Sequence, residues 1–148
     1  DNFKPNLFIV DLNLKLKKNL LLNKLLKKRR TFLITNIKNK KKSYMFKKKG
    51  FKIIFVNDLK NKKDFYQLFK RIYKMGYSRI FIESGLTFIN TLLKNELIND
   101  MYIFKNINNL YKNGKNNDSI KYLKSISSKP ISINLNNDKL YKKEFYNV

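Results

Sequence analysis

The pattern of this chain predicts an α/β fold, with a mixed, mainly parallel sheet flanked by helices. Three observations carry that expectation. Apolar runs of strand length alternate with segments of helical period through residues 7–104. These runs are nearly continuous in apolar character, as strands covered on both faces must be. The chain closes on two short runs around Asn136-Asn137-Asp138, the pattern of a C-terminal antiparallel hairpin.

Leu7–Val10 is compact and apolar, and reads as the first strand. Leu20–Lys28 carries Leu20, Leu21, Leu22, Leu25 and Leu26 at spacings that suit a short amphipathic helix. Thr31–Thr35 is the second strand, and a basic segment then leads through Tyr44, Met45 and Phe46 to Gly50. Phe51–Val56, rich in β-branched and aromatic residues, is the third. Asn57 or Asp58 ends it and helps to start a helix in which Phe65, Leu68, Phe69, Ile72 and Tyr73 recur at i, i+3, i+4, i+7 and i+8. Gly76 stands past the last turn, where a left-handed residue is wanted. Arg79–Ile82 reads as the next strand, and Glu83-Ser84-Gly85-Leu86 as a sharp connection into a helix from about Thr87 to Leu97. Met101–Phe104 follows as a strand, and Ile131–Leu135 and Leu140–Tyr146 form the hairpin. Asn36–Lys42 and Lys112–Asn117 read as low-complexity loops. Neither a repeat nor a Gly/Ser or Pro linker divides the 148 residues, so a single domain is expected.

Composition excludes several chemistries. With no Cys and no His, the chain offers neither a thiolate or imidazole zinc site, nor a Cys nucleophile, nor a His general base. No disulfide framework is open to it. No apolar stretch approaches the roughly 20 residues a membrane helix needs, and a soluble, cytoplasmic protein is expected.

The net charge of +24 invites a nucleic-acid reading. Codon chemistry explains it as well. Phe, Tyr, Met, Ile, Asn and Lys, written with A and T, make up more than half of the chain, while Ala is absent and Gly, Pro and Arg are scarce. Arginine, the better group for phosphate and guanine, appears only as Arg29, Arg30, Arg71 and Arg79. The lysines are spread from Lys4 to Lys143. Composition alone therefore gives no reason to expect a nucleic-acid partner.

The stretch with the most chemistry is Glu83-Ser84-Gly85-Leu86-Thr87 between strand and helix. A small residue after a strand lets the backbone turn sharply and approach a ligand. The helix N-terminus beyond it presents N–H groups and a positive dipole end suited to phosphate. In open α/β sheets ligands gather past the carboxyl ends of strands. Thr87 can cap the helix or donate its hydroxyl. A plain left-handed turn with a Thr cap meets the same spacing. Glu83, one of three glutamates, can accept hydrogen bonds from amino or ring N–H groups of a ligand, or pair with a surface lysine.

Arg79–Phe104, RIFIESGLTFINTLLKNELINDMYIF, resembles the signature of the riboflavin-biosynthesis pyrimidine reductases. That family has a strand, Glu-Gly-Gly or Glu-Ala-Gly, a Thr-containing helix, and a turn into another strand. Glu83, Gly85 and Thr87 match, Leu97-Ile98-Asn99-Asp100 stands in for the turn, and Ser84 and Met101 depart from the usual residues. Upstream, Pro5–Lys18 resembles a family strand ending in Asp, here Asp11, and Thr31–Thr35 the next one. The resemblance implies a dihydrofolate-reductase-like fold and NADPH-dependent reduction of 5-amino-6-(5-phosphoribosylamino)uracil to its ribitylamino form. Glu83 would contact this phosphoribosyl-aminopyrimidine. Leu12, Gly85, Leu86, Thr87, Phe88, Ile89, Asn90 and Thr91 would bind NADPH. No side chain is assigned a catalytic role and no metal is expected. It further implies a homodimer, and that the chain is the C-terminal part of a longer protein with a zinc deaminase domain upstream. The competing expectations are another NADPH reductase of the same fold, and a basic RNA- or ribosome-binding module.

Overall fold

The computed structural model describes residues 4–17, 24, 26–106, 129–133 and 138–145. They fall into two units, Asp1–Gly76 and Tyr77–Val148. Both contain helix and strand, so the chain is of mixed α/β character.

In the first unit β1 (Leu7–Val10), β2 (Thr31–Asn36) and β3 (Lys52–Val56) form a parallel sheet in that order. Leu7 pairs with Thr31 and Phe32 with Lys52, so β2 is central. Its first five residues are all buried, which is why that run lacks polar alternation. Thr31 and Thr35 sit in it without orphaned hydroxyls, donating to the carbonyls of Arg29 (3.3 Å) and Leu12 (3.4 Å). Phe8 and Phe32, at paired positions, stack at 4.5 Å.

A 3-10 turn (Ile37–Asn39) and helix α1 (Lys40–Lys48) connect β2 to β3. The sequence reading left this segment as a basic stretch beginning in a loop. Its helical signal is sparse, with Ser43 and Phe46 as the buried positions, and its C-terminal stop is the clearer mark. Gly50, at φ 101, donates to the Lys47 carbonyl (3.0 Å), and Phe51 N–H donates to the Phe46 carbonyl (3.1 Å). That bond pair closes a helix through a left-handed residue, and the apolar contact that accompanies it is the edge-to-face pair Phe46–Phe51 at 5.7 Å. The same two rings join Leu33 in the core, with Ile9, Leu14, Leu16, Leu26 and Ile53 around them.

Helix α2 (Lys62–Lys74) follows β3. Asn61 and Asp64 form a reciprocal capping box, Asn61 Oδ1 accepting from Asp64 N–H (3.0 Å) and the Asp64 carboxylate from Asn61 N–H (3.4 Å). Phe65, Leu68 and Ile72 are buried as the spacing predicted, but Phe69 is half-buried, Tyr73 is exposed, and the helix starts from Asn61 and not from Asn57 or Asp58. Gly76 takes φ 93 at the end.

In the second unit helix α3 (Leu86–Lys94) precedes an antiparallel sheet of order β4-β6-β5, with β4 at Asp100–Lys105, β5 at Lys129–Ile131 and β6 at Lys139–Glu144. Asp100 pairs with Glu144 and Pro130 with Tyr141. Lys142 bridges the Asp100 (3.8 Å) and Glu144 carboxylates. The hydrogen bond with Glu144 raises its pKa, and Asp100 acts in the same direction.

Three expectations need correction. Arg79–Ile82 is not a strand, because no described strand runs beside it to take up its N–H and C=O groups, and Phe81 stays 80% exposed. The single mixed, mainly parallel sheet is replaced among the described residues by one parallel and one antiparallel sheet of three strands each. The first hairpin strand ends at Ile131 instead of beginning there. Most of the helix expected at Leu20–Lys28, of which only residues 24 and 26–28 are described, most of the hairpin turn, and the Lys112–Asn117 loop lie outside the described residues.

Candidate functional site: an uncapped helix start beside an open glycine

The stretch singled out in the sequence lies in the second unit. Gly85 is the N-cap of α3, with φ −71 and ψ 167. Its carbonyl accepts from the N–H groups of Phe88 and Ile89, both at 3.2 Å. No side chain caps the helix, so the Leu86 and Thr87 N–H groups point out of the first turn with no acceptor among the described residues. They sit at the positive end of the helix dipole.

The alternative of a left-handed turn with a Thr cap is not what forms. Gly85 is extended, a conformation open to any residue, and Thr87 lies inside the helix. Packing does not demand a glycine either, since a Cβ there would meet no described atom within 4 Å. The missing side chain leaves open space directly before two unengaged amides.

The predicted residues divide by orientation. Glu83, Ser84, Gly85 and Thr87 are exposed, while Leu86, Phe88, Ile89 and Thr91 are half-buried. Asn90 is buried, so it is turned into the unit and away from solvent. The Thr91 hydroxyl donates to the Thr87 carbonyl at 2.8 Å and is engaged within the helix. Ser84 Oγ donates to the Gly85 carbonyl at 3.3 Å. The helix also stops at Lys94, three residues before the expected end. Glu96 takes φ 55, and the bonds Glu96 N–H to Leu93 carbonyl and Leu97 N–H to Leu92 carbonyl, both 3.0 Å, close it. A non-glycine residue in the left-handed region costs about 1–2 kcal/mol. Glu96→Gly is therefore expected to raise stability by up to about 1 kcal/mol after glycine's greater unfolded-state entropy is deducted. A urea midpoint lower than wild type would contradict this.

Leu12 belongs to the first unit, in the turn after β1. Its carbonyl accepts from Asn36 N–H (3.3 Å), Asn39 Nδ2 (2.7 Å) and the Thr35 hydroxyl. Asp11 braces the same turn by accepting from the N–H groups of Lys15 (3.0 Å) and Leu16 (2.7 Å). The Leu12 carbonyl thus already works in holding the turn onto the end of β2.

One feature of the first unit escaped the sequence reading. A cleft of about 300 Å³ opens at the carboxyl end of β3, lined by apolar Ile37, Val56 and Leu68 together with polar Asn57, Gln67 and Arg71. The i, i+3, i+7 row Asp64, Gln67, Arg71 on α2 was the available signal. Its charged groups are committed locally. Arg71 Nη1 donates to the Phe55 carbonyl (3.3 Å), and Asp64 serves the capping box. Asp58 pairs with Lys60 at 2.7 Å. That lysine and the Leu59 N–H hold the Asp58 carboxyl below its ordinary range.

Among the described residues no cluster of His, Cys, Asp or Glu could hold a metal ion, and no helix is long and apolar enough to cross a membrane. Set against known proteins, the chain matches no protein-family model and no curated sequence.

Proposed function

We propose that the chain is an NADPH-dependent reductase of a phosphoribosyl-aminopyrimidine, with the start of α3 receiving a phosphate of the cofactor. One observation carries the reading. Gly85 is required neither by its backbone angles nor by its neighbours, yet it leaves space before two amides with no acceptor among the described residues. An anion fits such a place, because donors and dipole both favour negative charge there. The resemblance of Arg79–Phe104 to the pyrimidine reductases adds the identity of cofactor and substrate.

In this reading the Leu86 and Thr87 N–H groups bind phosphate oxygens, and the exposed Thr87 hydroxyl adds a third donor. Glu83, exposed two residues before Gly85, accepts hydrogen bonds from amino and ring N–H groups of the pyrimidine. Asn90 and Leu92, buried on different sides of the helix, hold it in place. Bound NADPH supplies the hydride that reduces the ribose to a ribityl group, and no side-chain nucleophile is required.

The test is a fluorescence titration of NADPH with the whole chain and with Gly85→Val. Wild type should bind saturably, and the variant at least about tenfold more weakly with an unchanged far-UV spectrum, since a side chain fits the fold there but occupies the phosphate space. Equal affinity of the two proteins, or no binding by wild type, would sink the proposal.

A further inference from the structure

Helix α2 turns a second kind of surface to solvent, independent of the α3 site. Its buried stripe is Phe65, Leu68 and Ile72. At 100° per residue, the opposite face holds Lys63, Lys70 and Lys74 in one row, and Tyr66 and Tyr73 in the row beside it. The two tyrosines are 62% and 67% exposed. Lys70 Nζ stands 5.8 Å from the Tyr66 ring centroid. No carboxylate pairs with Lys63, Lys70 or Lys74 among the described residues, and Asp64, the one acidic residue of the helix, is turned back into its capping box.

Composition accounts for lysines on any exposed face. The same bias supplies tyrosine, so what sets this face apart is its arrangement: two exposed rings seven residues apart, about 10 Å along the axis, in a row beside three lysines with no carboxylate partner among the described residues. Lysines alone would suit any polyanion. Rings beside them suit one whose own groups are flat and unpaired, since every base has a face that stacks on an aromatic side chain while the cations follow the phosphates. We infer that the exposed face of α2 is a binding surface for single-stranded RNA, Tyr66 and Tyr73 stacking on bases and Lys63, Lys70 and Lys74 neutralising the backbone.

The test is fluorescence anisotropy of the whole chain with a labelled 12-nucleotide oligouridine, across a salt series. The combined variant Tyr66→Ala/Tyr73→Ala should bind at least about tenfold more weakly with the same salt slope, and Tyr66→Phe/Tyr73→Phe should restore binding. Lys63→Gln/Lys70→Gln/Lys74→Gln should lower the slope of log affinity against log salt by about 2. Lys41→Gln/Lys42→Gln/Lys47→Gln, on α1, should change it little. All five positions on α2 are exposed, so the variants should keep the wild-type far-UV spectrum. The inference is overturned if the chain does not bind the RNA, or if the alanine variant binds as wild type. It also fails if the α1 lysines matter as much as those of α2, or if tyrosine-dependent binding is found only to phosphatidylserine vesicles.

Discussion

Phe65→Ala is expected to lower the unfolding free energy of the chain by about 3–5 kcal/mol, the usual cost of emptying an aromatic site in a core. Phe65 is 0% exposed and opens the buried α2 stripe that continues with Leu68 and Ile72. Phe69, whose ring lies 6.0 Å from it, is only half-buried. Since domains are commonly stable by only about 5–15 kcal/mol, this one change removes a large part of the total. Urea denaturation followed by far-UV circular dichroism reads it directly, as a drop in midpoint at little altered slope. A loss below about 1 kcal/mol would mean that α2 is not held by this ring.

Leu92→Ala should cost about 2–5 kcal/mol by the same reasoning. Leu92 is fully buried, and its carbonyl accepts the bond from Leu97 N–H that ends α3. The loss should appear in amide exchange of α3 and β4 as well as in the urea midpoint. Unchanged protection of Leu93–Glu96 would show that the helix end is held by its backbone bonds alone.

Much of the architecture was legible before any coordinates. β2 is a nearly continuous apolar run and is buried as such a run requires, while β3, at the sheet edge, is mostly half-buried. α2 carries its core at i, i+3 and i+7 with Gly76 after it, but it starts at the Asn61–Asp64 capping box and not at the expected Asn57 or Asp58. α1 was harder, because its core positions are reduced to Ser43 and Phe46 and its other faces are filled with lysine. Gly50 and Phe51 marked its end all the same. Spacing singled out the Glu83–Thr87 stretch, where Glu83, Gly85 and Thr87 are exposed, but it did not reveal that Asn90 turns inward or that the Thr91 hydroxyl and the Leu12 carbonyl are already engaged.

The sequence by itself determined the alternation of strand and helix, the buried stripe of α2, and the absence of His and Cys chemistry, because periodicity and residue type are local properties. Tertiary structure decided which runs become strands. Arg79–Ile82 has the composition of one, but a strand exists only where a neighbour takes up its hydrogen bonds, and none of the described strands does. It also decided that parallel and antiparallel pairing occur in separate sheets, and that Gly85 is extended with open space beside it, since both depend on what the rest of the chain places nearby.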